Sequence, residues 1–298
     1  MSTPTFGFVL PPSNGSDVPE PESLWALVDR AEASALEYIW LSDHIVWWHP
    51  MYESLSLLAA VAGRTKRIRI GPAVLLAAMR NPTILAKQLS TIARLSNGRL
   101  TLGVGVGGEF PPEWDAVGVS RKTRASTTDE TIEALRGLWG PVPFSMQGRR
   151  LNLDSVDLQP KPAVEIPIWV GGRSDAAIRR AARYGNGWMG IWLTPERVAQ
   201  QVSALDDLAE GKSLTKAMYV WTSIGENKQE ARASAEALLG AFYNIPFEKL
   251  ERYAVYGSPE DCTAKFREFA DAGVEHFAIA PITIGPDPQF LERLISIV

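Results

Sequence analysis

Tyr38-Ile39-Trp40-Leu41-Ser42-Asp43-His44 is an apolar run that ends in an acid and an imidazole, with Trp47 and Trp48 a few residues on. It reads as a strand that delivers a titratable pair, beside large aromatics, to the mouth of a barrel. If so, the same unit should recur on both sides of it.

It does. Before it, Thr5 to Leu10 reads as a first strand, and Glu22 to Leu36 as a helix with Leu24, Leu27, Val28, Ala31 and Ala35 on one face. After it come a helix at Ser54 to Gly63 and an Ile- and Val-rich third strand at Arg67 to Leu76. Pro82 starts a helix that stops at Ser96-Asn97-Gly98, and Arg99 to Val106 is a fourth strand. Thr127 to Trp139 has helical spacing, Ile166 to Val170 is a fifth strand, and Ser174 suits the cap of the next helix. Gly187 to Trp192, Met218 to Ile224 and Phe277 to Ile282 complete eight strands. Between them lie a helix from Pro195 fading at Gly211 and helices over much of 227–272, one starting at Ser258-Pro259-Glu260-Asp261. Gln289 to Ile297 closes the chain as a helix.

Eight strands alternating with helices predict an α/β fold, a (β/α)8 TIM barrel forming one domain over residues 1–298. A doubly wound sheet would place a glycine fingerprint after its first strand, where Leu10-Pro11-Pro12 stands instead. Two segments exceed ordinary loop length: Gly107 to Lys122 after strand four, and Pro141 to Glu165 before strand five. Loops that long are expected to be lids or binding loops.

The chain has 298 residues, 46% hydrophobic and 21% charged, so it can bury a large core. A formal charge of −4 argues against nucleic acid and for a small-molecule ligand. Three histidines and one cysteine argue against a dedicated metal site, and Cys262 reads as a small core residue. No apolar stretch approaches a membrane span and no leader pattern opens the sequence, so a cytoplasmic location is expected.

The strand ends nominate the chemistry. His44 is suited to moving a proton near neutral pH. Asp43 is open to three roles: holding the imidazole, accepting a hydrogen bond from a cofactor ring, or capping the next segment. Trp47 and Trp48 suit an apolar wall, and Trp114, Trp188 and Trp192 hint at the same pocket. In Leu102-Gly103-Val104-Gly105-Val106-Gly107-Gly108-Glu109, Gly107 and Gly108 permit close approach to a flat ligand. Glu109 reads as an acid if it sits in a dry pocket, and as a solvated loop carboxylate otherwise. Gly171-Gly172-Arg173-Ser174 before a helix offers backbone N–H groups, a guanidinium and a hydroxyl to a phosphate, or simply a turn with a serine cap.

This ordered set resembles the luciferase-like monooxygenase superfamily of flavin and deazaflavin oxidoreductases. The resemblance spans Trp40 to His44, Arg67 to Pro82, Leu95 to Gly105, Arg124 to Trp139, Pro167 to Ser174, Gly187-Trp188 and Tyr256 to Asp261. Ser42-Asp43-His44 and Gly107-Gly108-Glu109 look like members that use coenzyme F420. The resemblance implies that Asp43 contacts the deazaflavin, that His44 and Glu109 are catalytic, and that Trp48 lines the pocket. It implies that Ala73-Val74-Leu75-Leu76 forms a bulge with a non-proline cis peptide, Val74 and Leu75 supporting the ring. Leu76 departs from members with a hydroxyl residue there, and no residues for a sugar phosphate can be placed. Implied activity is hydride transfer between F420 and a small, apolar substrate in a homodimer. The alternatives are a reduced-FMN-dependent monooxygenase and a non-catalytic flavin-binding protein.

Overall fold

The computed structural model describes residues 3–243 and 245–298. Its strands are β1 (Thr5–Val9), β2 (Tyr38–Leu41), β3 (Arg69–Pro72), β4 (Leu102–Val104), β5 (Phe144–Gln147), β6 (Asn152–Val156), β7 (Ile168–Gly171), β8 (Gly187–Ile191), β9 (Thr215–Ile224), β10 (Val255–Gly257) and β11 (His276–Pro281). Its helices are α1 (Pro21–Glu32), α2 (Ser54–Arg64), α3 (Pro82–Leu95), α4 (Pro111–Ala116), α5 (Arg124–Trp139), α6 (Asp175–Tyr184), α7 (Pro195–Leu208), α8 (Lys228–Tyr243), α9 (Pro259–Asp271) and α10 (Pro288–Ile295).

Eight strands run parallel in the order β3-β2-β1-β11-β9-β8-β7-β4. The two ends meet through isolated parallel bridges, Ile70 with Leu100 and Leu75 with Val104, which bring the sheet round into the (β/α)8 form. Side chains alternate in and out along each strand. Outward, Phe8, Ile39, Leu41, Val170, Val220 and Phe277 pack under the helices. Each such apolar side chain, fully buried, contributes about 1.5–3 kcal/mol. Inward, Tyr38 and Trp40 stack at 4.6 Å beside Trp169, with Ala217 and Ala278 leaving room for them.

Below these rings sits His276, buried, its Nε2 accepting from the Trp40 indole at 3.0 Å and its Nδ1 2.7 Å from Thr5 Oγ1. An indole N–H only donates, so Nε2 is the acceptor and the proton lies on Nδ1. Burial pulls the His276 pKa down to about 3.

Where the structure departs from the sequence reading, the causes are local. The third strand stops at Pro72; the Ala73–Val74 peptide bond is cis, as the resemblance implied, and the chain turns through a short 3-10 segment at Ala77–Met79. The fourth strand is shorter than Arg99 to Val106 at both ends; ahead of it Arg99 hooks its guanidinium onto the carbonyls of Ala62, Thr65 and Ile68. Pro141 to Glu165 is not structureless: β5 and β6 form an antiparallel hairpin within it. Gly107 to Lys122 contains α4. The stretch 227–272 also contains β10, which lies parallel to β9 outside the eight-strand circuit. Ser258 and Asp261 form a reciprocal capping box on α9, and Cys262 is buried behind it, its thiol pushed up to about 12 chiefly by burial. Among the described residues no helix is long and apolar enough to cross a membrane.

Candidate active site

Asp43, immediately beyond β2, is buried and saturated. Its carboxylate accepts from Ser54 Oγ at 2.6 Å, Leu76 N at 2.8 Å, and Arg80 Nη1 and Nη2 at 2.8 and 2.7 Å. Arg80 also donates to Glu53 at 3.0 Å. Burial alone would lower the Arg80 pKa, but Asp43 and Glu53 outweigh it and hold the guanidinium firmly charged. Asp43 thus ties β2 to the segment after the Val74 step and has no hydrogen bond to the imidazole beside it. Leu76, the departure from a hydroxyl residue, takes part through its amide, which side-chain identity does not alter.

The partner of His44 is Glu113, a residue sequence reasoning missed. His44 Nδ1 lies 3.1 Å from Glu113 Oε2, and Glu113 Oε1 accepts the amides of Ile45 at 2.5 Å and Val46 at 3.4 Å. Glu113 comes from the first turn of α4 and is 1% exposed. The opposite ring face of the imidazole is defined by Trp47, stacked at 3.7 Å and 19°. Trp48 and Phe110 pack against Trp47 at 4.4 and 5.7 Å, and Phe242 of α8 reaches within 6.4 Å of it. Pro-Pro-Glu-Trp at 111–114 is a helix start with an acid in the first turn, a signal that would have placed Glu113 on an ordered element.

The Val74 step is seated by glycines. A Cβ at Gly105 would lie 2.4 Å from Val74 Cγ2, and one at Gly171 2.8 Å from Val74 Cγ1. Gly105, just past β4, and Gly171 of β7 therefore admit Val74 itself. At Gly107 and Gly108, both at positive φ, added carbons would meet Leu76 and Arg124, so it is protein side chains that lie close there. Ser174 caps α6, accepting from Ala177 N. The Gly172 amide donates to Met189 O at 3.0 Å, which corrects the expectation that it is free for a phosphate, and Arg173 is exposed. Any phosphate at this turn is left with the first amides of α6 and the Ser174 hydroxyl.

Glu109 is exposed rather than in a dry pocket. Burial above all pushes up the hydroxyl pKa of Tyr219, against a lowering hydrogen bond from Ser42 and with a smaller push from Glu109; at Tyr243 burial again dominates, followed by Tyr219 and then Glu109. Trp114 and Trp188 belong to the packed core, not to a pocket, whereas Trp192 lies 5.2 Å from Tyr243. One buried indole N–H among the mouth aromatics, Trp47 Nε1, has no partner. A cleft of about 240 Å³ lined by Arg80, Asn81, Thr131 and Arg150 involves none of these mouth aromatics. Among the described residues no cluster of three or more His, Cys, Asp or Glu is placed to hold a metal.

A parallel barrel whose strand ends present an imidazole held by a carboxylate, a kinked third strand and an aromatic wall has its candidate site at the mouth where barrel enzymes carry their chemistry. Residues 4–276 match the profile of the luciferase-like monooxygenase family, and the chain belongs to it. It is an enzyme of that type, which sets aside the reading as a binder without turnover. It is 26% identical over 296 residues to the F420-dependent glucose-6-phosphate dehydrogenase of Amycolatopsis mediterranei, covering 86% of this chain and 87% of that one. The fold is shared with an F420-dependent secondary alcohol dehydrogenase solved with an F420-acetone adduct, at TM-score 0.86 and 20% identity over 100% of this chain and 98% of the other. It is also shared with the FMN-bound oxygenating component of 3,6-diketocamphane monooxygenase from Pseudomonas putida, at TM-score 0.74 and 17% identity over 94% and 92%.

Proposed function

We propose that the protein transfers a hydride between coenzyme F420 and a small, apolar organic substrate. The observation that carries the reading is that the carboxyl ends of β2 and β3 are tied together: Asp43, beside the Glu113-held imidazole of His44, accepts from Leu76 N just past the glycine-seated Val74 step. The kinship with an F420-dependent dehydrogenase supports the cofactor. The residues also fit a polar tricyclic ring: the partnerless indole N–H of Trp47 suits a ring carbonyl, and the aromatics around it suit its faces.

Bound there, the deazaflavin supplies hydride transfer. Val74 and Leu75 support the ring, and Asp43 keeps that step in place through Leu76 N and Arg80. The α6 start receives the phosphate on its first amides and the Ser174 hydroxyl, with the exposed Arg173 guanidinium beside them. His44 moves the proton that accompanies reaction, with Glu109, on the loop after β4, as a second proton-handling group. Trp47, Trp48 and Phe110 exclude water and favour an apolar substrate over a sugar phosphate.

The second reading is a reduced-FMN-dependent monooxygenase, favoured by the family itself and by the similar ring shape of the two cofactors. Titration of the apoprotein with F420 and FMN in parallel separates them. Tighter F420 binding is expected; a micromolar or tighter preference for FMN overturns the F420 reading.

A further inference from the structure

We propose that Glu113 is the positioning residue that fixes which imidazole nitrogen of His44 carries the proton, leaving Nε2 as the bare acceptor at the barrel mouth. The proposal rests on the reading that His44 handles the proton of the reaction.

The argument is one of donor and acceptor accounting. Glu113 Oε1 is occupied by two peptide N–H groups, those of Ile45 and Val46, and Oε2 faces His44 Nδ1 at 3.1 Å. A carboxylate oxygen only accepts, so Nδ1 must be the donor and the neutral ring has its lone pair on Nε2. A half-turn of the ring about Cβ–Cγ would set Cδ2, not a nitrogen, against Glu113 Oε2, so the same hydrogen bond fixes the ring's orientation while Trp47 stacks on it at 3.7 Å. Glu113 itself is 1% exposed on the first turn of α4, so one buried side chain fixes both the 44–46 backbone and the tautomer. Such an arrangement sets a general base without touching substrate.

Glu113→Gln tests this because it preserves shape and reverses the hydrogen. The glutamine side chain has one acceptor oxygen, and the Ile45 and Val46 amides hold it where Oε1 stood. Its NH2 group then faces Nδ1, which must accept, and the proton of the neutral ring moves to Nε2. With only three histidines in the chain, ¹⁵N-histidine labelling and a His44→Ala control assign the ring signals directly.

Above the imidazole titration, wild-type His44 is expected to be protonated on Nδ1 and the Glu113→Gln protein on Nε2. The F420 dissociation constant should stay within about 3-fold, while kcat falls roughly 10²–10⁴-fold, the range for loss of a correctly protonated general base or acid. Glu113→Asp, which keeps an acceptor-only side chain, should retain the Nδ1–H tautomer and recover part of the rate. A wild-type proton on Nε2, read without any variant, overturns the proposal, as does an unchanged tautomer in Glu113→Gln. A reversed tautomer with unchanged kcat overturns the claim that Nε2 serves the reaction. Failure to bind F420 sinks the cofactor reading instead, and the tautomer measurement on the apoprotein is unaffected by it.

Discussion

Asp43 and His44 are neighbours in sequence with different surroundings: the carboxylate is fully enclosed, while the imidazole retains 18% side-chain exposure at the mouth. Removing the charge partner of Asp43 should therefore act on stability. Arg80→Met leaves a buried carboxylate without its guanidinium and is expected to cost about 3–5 kcal/mol, read as a lower urea midpoint. Adding Asp43→Asn should recover part of that loss; a double variant less stable than Arg80→Met would contradict the account. His44→Ala should act on turnover, lowering kcat by about 10²–10⁴-fold with cofactor affinity nearly unchanged. Both residues were legible from the sequence because each ends an apolar run. Their partners were not: Arg80 and Glu113 lie 37 and 69 residues away, and adjacency offered Asp43 itself as a holder of the ring.

Among the elements, those with local signals were read most accurately. β2 and α3 have the expected limits, because an apolar run before a polar pair marks one and Asn81-Pro82 with Ser96-Asn97-Gly98 marks the other. The capping box of α9 is likewise written in Ser258-Pro259-Glu260-Asp261, and Ser258→Ala should cost about 1 kcal/mol by thermal or urea unfolding. The ends of β3 and β4 were overrun because composition alone does not show where a strand leaves the sheet. Their glycines now have a specific occupant. Gly105→Ala sets a methyl 2.4 Å from Val74 Cγ2 and is expected to cost about 1–3 kcal/mol and to weaken cofactor binding. Gly63→Ala, in α2 with nothing within 4 Å, should instead be neutral or stabilising by up to about 1 kcal/mol. Equal effects at the two positions would remove the Val74 explanation.

On the scale of the whole barrel, the neutral His276 beneath the interior rings makes stability depend on pH. Its folded pKa is lowered to about 3, whereas the unfolded chain titrates near the usual 6.5. Between those values the unfolded state binds a proton that the folded state does not. Stability is therefore full above about pH 6.5 and falls with acidification toward pH 3, at up to about 1.4 kcal/mol per pH unit. From pH 7 to pH 5 the wild type should lose about 2 kcal/mol more than His276→Phe in urea titrations; parallel losses would refute the assignment. By itself the sequence determined the alternation of strands and helices, the strand ends that carry polar groups, and the kinship those ends express, since period, caps and turn residues are local properties of the chain. Tertiary structure alone decided which residue of each run faces the interior, because strands covered on both faces are apolar throughout. It alone also gave His44 its carboxylate, Asp43 its arginine and Val74 its bed of glycines, because a hydrogen bond or a close contact selects partners by distance in space, whatever their separation along the chain.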